Sequence, residues 1–374
     1  MNRRAVFLSS PKIWERGHGP DHPLKPERLQ RTFELLEEYG AFSAADVRLV
    51  EPEPASEDDL AMFHTREYIE IVKALSAGER SQDAYQYGFG PGDNPVFEGM
   101  FELALQSVGS GLTGAKLLVN DQCDVAFSIG GGLHHGGPDF ASGFCVVNDV
   151  AVTLTWLLNQ GLRMMYVDID AHHGDGVQNA FYESDQIMTV SFHQDGRTLF
   201  PGTGFVDEVG DGVGKGYSVN VPLPPLTDDE LYLWAFRQIL PPLFERFQPE
   251  ILVTQLGVDT HIQDPLTQMM LTTEGQSEIF EIFNQIAPKW LAFGGGGYAI
   301  EVVPRAWALA FGIMSDQTLP IELPPKYREK FGGRWLRDQQ APRLDALTHE
   351  MIKERVEAVV GEVKNSHGIL PSPE

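Results

Sequence analysis

A chain of 374 residues with 42% hydrophobic content can bury a large core, and its length allows one large α/β domain or two smaller ones. A formal net charge of −25 excludes a protein that coats naked nucleic acid, because phosphate binding needs clustered Lys and Arg. It suits a cationic substrate such as a lysine tail or a polyamine, although the same acidity also serves solubility alone.

Two cysteines, Cys123 and Cys145, leave neither a disulfide framework nor a four-thiolate zinc site, which points to a reducing, cytoplasmic compartment. In chain order, the first apolar run, 5–8, is too short for the core of a signal peptide and reads as a strand. A helix pattern at 26–39 and a strand at 47–50 follow, then two long amphipathic stretches, 58–77 and 95–118, both predicted helical. From there the pattern gives strand 125–129, helix 150–159, strands 164–169, 188–192 and 217–221, helix 228–247, strand 251–256, helix 273–286, strand 290–293 and helix 302–314. Thr227, with Glu230 three residues on, has capping-box spacing for the helix at 228–247. The Pro-, Arg- and Gly-rich stretch 319–344 is expected to wrap the surface before a last helix near 348–363. No run approaches the roughly 18 apolar residues of a membrane span, so no membrane partner is expected.

Several of these strands are apolar throughout, as strands buried on both faces should be. Alternation with helices predicts right-handed βαβ units. The expected fold class is therefore α/β, a single-domain parallel β-sheet sandwiched by helices. Its core runs over about 5–314, with 315–374 as a surface-wrapping extension and C-terminal helix. In such sheets chemistry gathers at the carboxyl ends of the strands.

Two histidine pairs stand there. His134-His135 follows the strand at 125–129, and His172-His173 follows the strand at 164–169. Asp168 and Asp170 lie two apart at the end of their strand and share one face, and His172 continues the spacing. Burying two such aspartates is costly unless a cation or hydrogen bonds compensate. Asp259, after the strand at 251–256, would complete three N and O ligands with a fourth position left for water, the arrangement of a catalytic zinc site. His173 and His261 read as packing or solvent-facing residues. The run Gly294-Gly295-Gly296-Gly297 lets the backbone approach a site closely, with Tyr298 placed to reach into it. Gly294, Gly296 and Ala299 loosely match a dinucleotide fingerprint, but after the last strand that match predicts no nucleotide cofactor.

Together these residues resemble the arginase/deacetylase superfamily and, within it, the zinc-dependent histone deacetylases, closest to the bacterial acetoin-utilisation type. The resemblance starts at His22-Pro23 and Pro26-Glu27-Arg28 and runs to Ala306-Trp307. Between them it rests on Leu133-His134-His135, Ala141-Ser142-Gly143-Phe144-Cys145, the segment 168–176, Phe200-Pro201-Gly202-Thr203-Gly204 and the segment 294–298. It implies Asp170, His172 and Asp259 as zinc ligands and His134 and His135 as catalytic histidines, oriented by Asp168 and Asp175. Tyr298 would hydrogen-bond the scissile carbonyl. Gly143, Phe144, Phe200 and Leu266 would line the substrate channel, and Asp93 would hold the substrate backbone at the rim. Family members also bind K+ or Na+. Asp168, Asp170, His172, Ser191 and Phe192 match one such site, and Phe181, Ser184, Ile187 and Tyr217 the other.

The implied activity is hydrolytic removal of acetyl or related acyl groups from the ε-amine of lysine in proteins, by attack of metal-activated water with His135 moving the proton. Iron(II) can replace zinc on such a ligand set. Leu133 stands where many eukaryotic members carry an aromatic residue, which leaves the acyl preference open. Acetylated polyamines or other small acetylated amines are the alternative substrates. A binuclear manganese ureohydrolase is the rival of another class. It is disfavoured because Gly174 follows Asp170-Ala171-His172-His173 where that class has a carboxylate, and because His261 stands in place of a second Asp. A non-catalytic binding protein would have lost a ligand, a histidine or the tyrosine, and none is lost. Self-association is left open.

Overall fold

The computed structural model describes residues 3–79, 81, 83–341 and 343–369. Eight strands, β1 (Ala5–Leu8), β2 (Val47–Val50), β3 (Val125–Ser128), β4 (Met164–Asp168), β5 (Ile187–Gln194), β6 (Ser218–Leu223), β7 (Ile251–Gln255) and β8 (Trp290–Phe293), form one sheet in the order β2-β1-β3-β8-β7-β4-β5-β6. Every pairing is parallel. Seven of the eight are buried along their length, β2 at the edge being the exception. Successive residues of a strand face opposite sides, so two separate cores result. Phe7, Phe127, Met165 and Val190 enter one core, and Val6, Ala126, Met164 and Tyr166 enter the other.

The helices are α1 (Glu27–Glu38), α2 (Glu57–Leu60), α3 (Arg66–Ser76), α4 (Met100–Val119), α5 (Asp149–Asn159), α6 (Asp175–Ala180), α7 (Asp229–Phe247), α8 (Thr273–Ile286), α9 (Val303–Met314), α10 (Pro325–Phe331) and α11 (Ala346–His367). Three expectations need correction. The stretch 58–77 is two helices, because Ser56 and Asp59 form a capping box for α2 and the Thr65 hydroxyl opens α3 by accepting from the Tyr68 N–H. The stretch 95–118 turns helical only at Met100, after Gly99 at φ 80°. The cap of α7 is Asp228, whose side chain accepts from the Leu231 N–H, while the Thr227 hydroxyl donates to the Pro224 carbonyl. The stretch 319–344 contains α10, and α11 packs against β6 and α7 through Val356, Val360 and Val363.

In register, Ser128, Phe293, Gln255, Asp168 and Ser191 form one row across the carboxyl ends of β3, β8, β7, β4 and β5. Just past that row, the four central strands β3, β8, β7 and β4 release the loops that carry the histidine pair, Tyr298, Asp259 and the Asp170–His172 segment.

Candidate metal and amide-hydrolysis site

Asp170, His172 and Asp259 are brought together, with one ligand atom from each within 4.8 Å of the others. His172 Nδ1 lies 3.1 Å from Asp170 Oδ1 and 2.9 Å from Asp259 Oδ2. All three are buried. Burial alone would depress the His172 imidazole, but the hydrogen bonds and charge of Asp170 and Asp259 outweigh it and carry it up to about 10. Burial, and then the charge of Asp170, push Asp259 up. Two buried carboxylates and an imidazole in this arrangement demand positive charge between them.

The residues present suit a metal ion. The carboxylate oxygens that do not face His172 are already held by the protein. Asp170 Oδ2 accepts from the Gly296 N–H at 2.8 Å and from Gln255 Nε2 at 2.6 Å, and Asp259 Oδ1 accepts from the Ala171 N–H at 2.7 Å. A Cβ added to Gly257 would stand 2.2 Å from Asp170 Oδ2, and one added to Gly296 would stand 2.3 Å from Asp259 Oδ2. Only glycine leaves the ligands their space there.

The histidine pair stands beside this triad, with ring centroids 4.0 Å apart. His134 Nδ1 bonds Asp168 Oδ2 and His135 Nδ1 bonds Asp175 Oδ1, each at 2.7 Å. The Tyr166 hydroxyl donates to the same Asp168 oxygen at 2.6 Å. These two dyads are chemically unequal. Burial opposes charge on His134, yet Asp168 and Asp170 overcome it and raise the imidazole to about 9. Burial, and then the charge of His134, lower His135 to about 4, so His135 is the neutral ring able to accept a proton.

Tyr298 follows the glycine run. Burial, then the nearby Asp259 and Asp170, push its phenol well above the usual range and keep the hydroxyl a donor. Its ring meets Phe144 edge-on at 5.7 Å and His172 at 6.4 Å. Phe200 meets His135 edge-on at 5.1 Å and is 43% exposed, so it reaches from the buried histidine to the surface. Gly143, at φ 51°, lies under His135, where a Cβ would come 2.3 Å from the ring. Phe144 itself holds φ 69°, a left-handed conformation unusual for a bulky residue. Leu266 is exposed, and Asp93 is exposed with its carbonyl 3.2 Å from His22 Nε2. The His22 ring abuts Phe144 at 4.5 Å, which connects Asp93 to that side chain.

Of the residues matched to monovalent cations, Asp168 and Ser191 are register neighbours beside the triad, with Asp170, His172 and Phe192 close by in sequence. Phe181, Ser184, Ile187 and Tyr217 lie at the opposite edge, where α6 ends and where β5 and β6 begin. His173 packs, bonding Thr203 Oγ1 at 2.8 Å and Gln178 Oε1 at 3.1 Å. His261 also packs and does not face solvent, with Nε2 2.7 Å from Asp338 Oδ2.

Three supporting residues escaped sequence reasoning. Gln255 orients Asp170 and also accepts from the Gly257 N–H at 2.6 Å. Asp264 accepts from the Tyr298 N–H at 2.8 Å and the Leu266 N–H at 3.0 Å, so it ties the tyrosine's backbone to that of the exposed Leu266. Asp149 accepts from the Gly132 and Leu133 N–H groups and fixes the loop leading to His134. For Gln255 a signal existed: it is the polar end of an otherwise apolar strand.

A model of the histone deacetylase domain matches residues 22–314. The acetoin utilization protein AcuC of Bacillus subtilis is 41% identical over 337 residues, covering 88% of this chain and 87% of that protein. Human histone deacetylase 1 is 38% identical over 334 residues, covering 88% of this chain and 68% of its own length. The crystal structure of a histone deacetylase homologue from Aquifex aeolicus superposes with a TM-score of 0.87 at 29% identity, over 96% of this chain and all of that one.

Proposed function

Because the chain belongs to the histone deacetylase family, and is on that ground a hydrolytic deacetylase, we propose that it is a zinc-dependent enzyme that removes acetyl groups from the ε-amine of lysine. The observation that carries this reading is the convergence of Asp170, His172 and Asp259 beside the His134–Asp168 and His135–Asp175 dyads. A divalent ion held by the triad would polarise the amide carbonyl and acidify water.

The chain's own residues account for the rest of the chemistry. His135 accepts the proton as water attacks, then returns one to the leaving amine. Asp175 fixes the tautomer at His135 Nδ1, leaving Nε2 for the reacting proton. His134, carrying charge with Asp168, supplies positive potential beside the developing oxyanion, and the Tyr298 hydroxyl donates a hydrogen bond to it. Phe144 and Phe200 flank an apolar stem as long as that of lysine, Gly143 gives it room, and Asp93 and Leu266 meet the substrate at the mouth. The nearer set, Asp168, Asp170, His172, Ser191 and Phe192, and the farther set, Phe181, Ser184, Ile187 and Tyr217, are proposed to take K+ or Na+. The whole chain is proposed to work as one deacetylase domain in the cytoplasm.

Hydrolysis of an acetyl-lysine peptide, compared with acetylated polyamines and with bound metal assayed alongside, tests this reading. The expected outcome is faster turnover of the peptide. Preference for the polyamine would reassign the substrate, and inactivity on both would remove the proposal.

A further inference from the structure

At the amino-terminal edge of the sheet, away from the triad, a cavity of about 290 Å³ opens where β4, β5 and β6 begin and α7 and α11 end. Arg163, Lys215, Arg246 and His367 line it, beside Tyr217 of the farther K+ or Na+ set, over an apolar floor that includes Met188 and Phe247, and no carboxylate is among its lining residues. Among the described residues none of the three cations is neutralised there. Arg163 donates to the Phe247 carbonyl and lies 3.9 Å from the centre of the Phe247 ring, and Arg246 donates to the His367 carbonyl. His367 is only 6% exposed, yet its ring, which faces the Gly216 backbone, completes no hydrogen bond of ordinary geometry, and Arg163 Nε is likewise buried and unpartnered. Buried polar groups are almost always bonded, so such a cluster marks a place where a partner belongs.

We propose that this cavity binds a phosphate group. Three cations and an imidazole supply N–H donors without a competing carboxylate, and arginine forks match phosphate oxygens in pairs. The Met188 and Phe247 floor suits a short carbon skeleton, so the phosphate can arrive as the inorganic ion or as a small phosphate monoester. In a chain of net charge −25, such a cleft is a local positive field that concentrates anions.

Calorimetric titration of the full-length, metal-loaded protein in ~150 mM chloride tests the proposal, with inorganic phosphate in one arm and glycerol phosphate in the other. We expect one site per chain, weakened at least about 10-fold by Arg246→Gln, by Lys215→Gln on the exposed rim, and by His367→Gln. Binding should be unchanged in Arg337→Gln, a surface arginine elsewhere, and in Asp259→Asn, which separates this cavity from the deacetylase site. Tighter binding of glycerol phosphate would assign the floor to a carbon skeleton, and equal binding would assign the site to phosphate alone. No saturable binding below ~10 mM in either arm, or wild-type binding in Arg246→Gln and Lys215→Gln, would overturn the proposal.

Discussion

At the carboxyl edge of the sheet, buried carboxylates and imidazoles crowd together, and the protein itself bonds the oxygens that do not face His172. At the amino edge, Arg163, Lys215, Arg246 and His367 surround a cavity without a carboxylate, and the buried histidine completes no hydrogen bond of ordinary geometry. One sheet thus carries opposite charge at its two ends. The lesson lies in how each cluster is supported. Gln255 and the backbone N–H groups of Ala171 and Gly296 hold the acidic cluster in one geometry, as reaction at a fixed point requires. Among the described residues the basic cluster is held more loosely, Arg163 and Arg246 each by one backbone carbonyl, with Lys215 and Arg246 reaching from exposed positions, as reversible capture of an anion requires.

This contrast can be broken experimentally. Stripping divalent metal with a chelator should lower turnover by at least ~1,000-fold, with recovery on adding zinc, and a stripped protein that stays active would end the metal reading. His135→Ala and Tyr298→Phe should each lower turnover by at least about 100-fold in zinc-loaded protein of unchanged circular dichroism. Near-normal rates in either variant would take that residue out of its role. Gln255→Leu keeps the volume but removes the donor to Asp170, so zinc affinity measured by competition should fall about 10- to 100-fold. Unchanged affinity would mean that the Gly296 N–H alone holds the carboxylate. Val356→Ala removes two buried methyls where α11 covers the sheet, so thermal or urea unfolding should show a loss of about 2 kcal/mol with turnover unchanged. A parallel drop in turnover would show that the far side of the sheet is coupled to the site.

Much of this organisation was legible because burial on both faces leaves a plain mark. The eight strand segments showed as short runs rich in Val, Ile and Phe, several of them apolar throughout, and seven proved buried along their length. Helix interiors were equally plain, but their ends were not. The apolar pattern runs on through Met62 and Phe63, so the two helices are told apart by local caps, the Ser56–Asp59 box that opens α2 and the Thr65 hydroxyl that opens α3. Beside Thr227, the carboxylate of Asp228 was the stronger competitor for the cap of α7. The triad, the histidine pair and Tyr298 stood out because each follows a strand that ends at the same edge. The residues that steady them did not, because their partners are distant in sequence. Asp264 meets the Tyr298 backbone 34 residues away, and Gln255 meets Asp170 across 85. No local period records such a contact.

The central claim, one catalytic metal on Asp170, His172 and Asp259, is tested most directly by titrating zinc into the metal-free full-length protein while following hydrolysis of an acetyl-lysine peptide. Activity should rise in proportion to added zinc and level off at one ion per chain, with Asp259→Asn giving no such rise. A plateau at two ions per chain, or full activity before any metal is added, would contradict it.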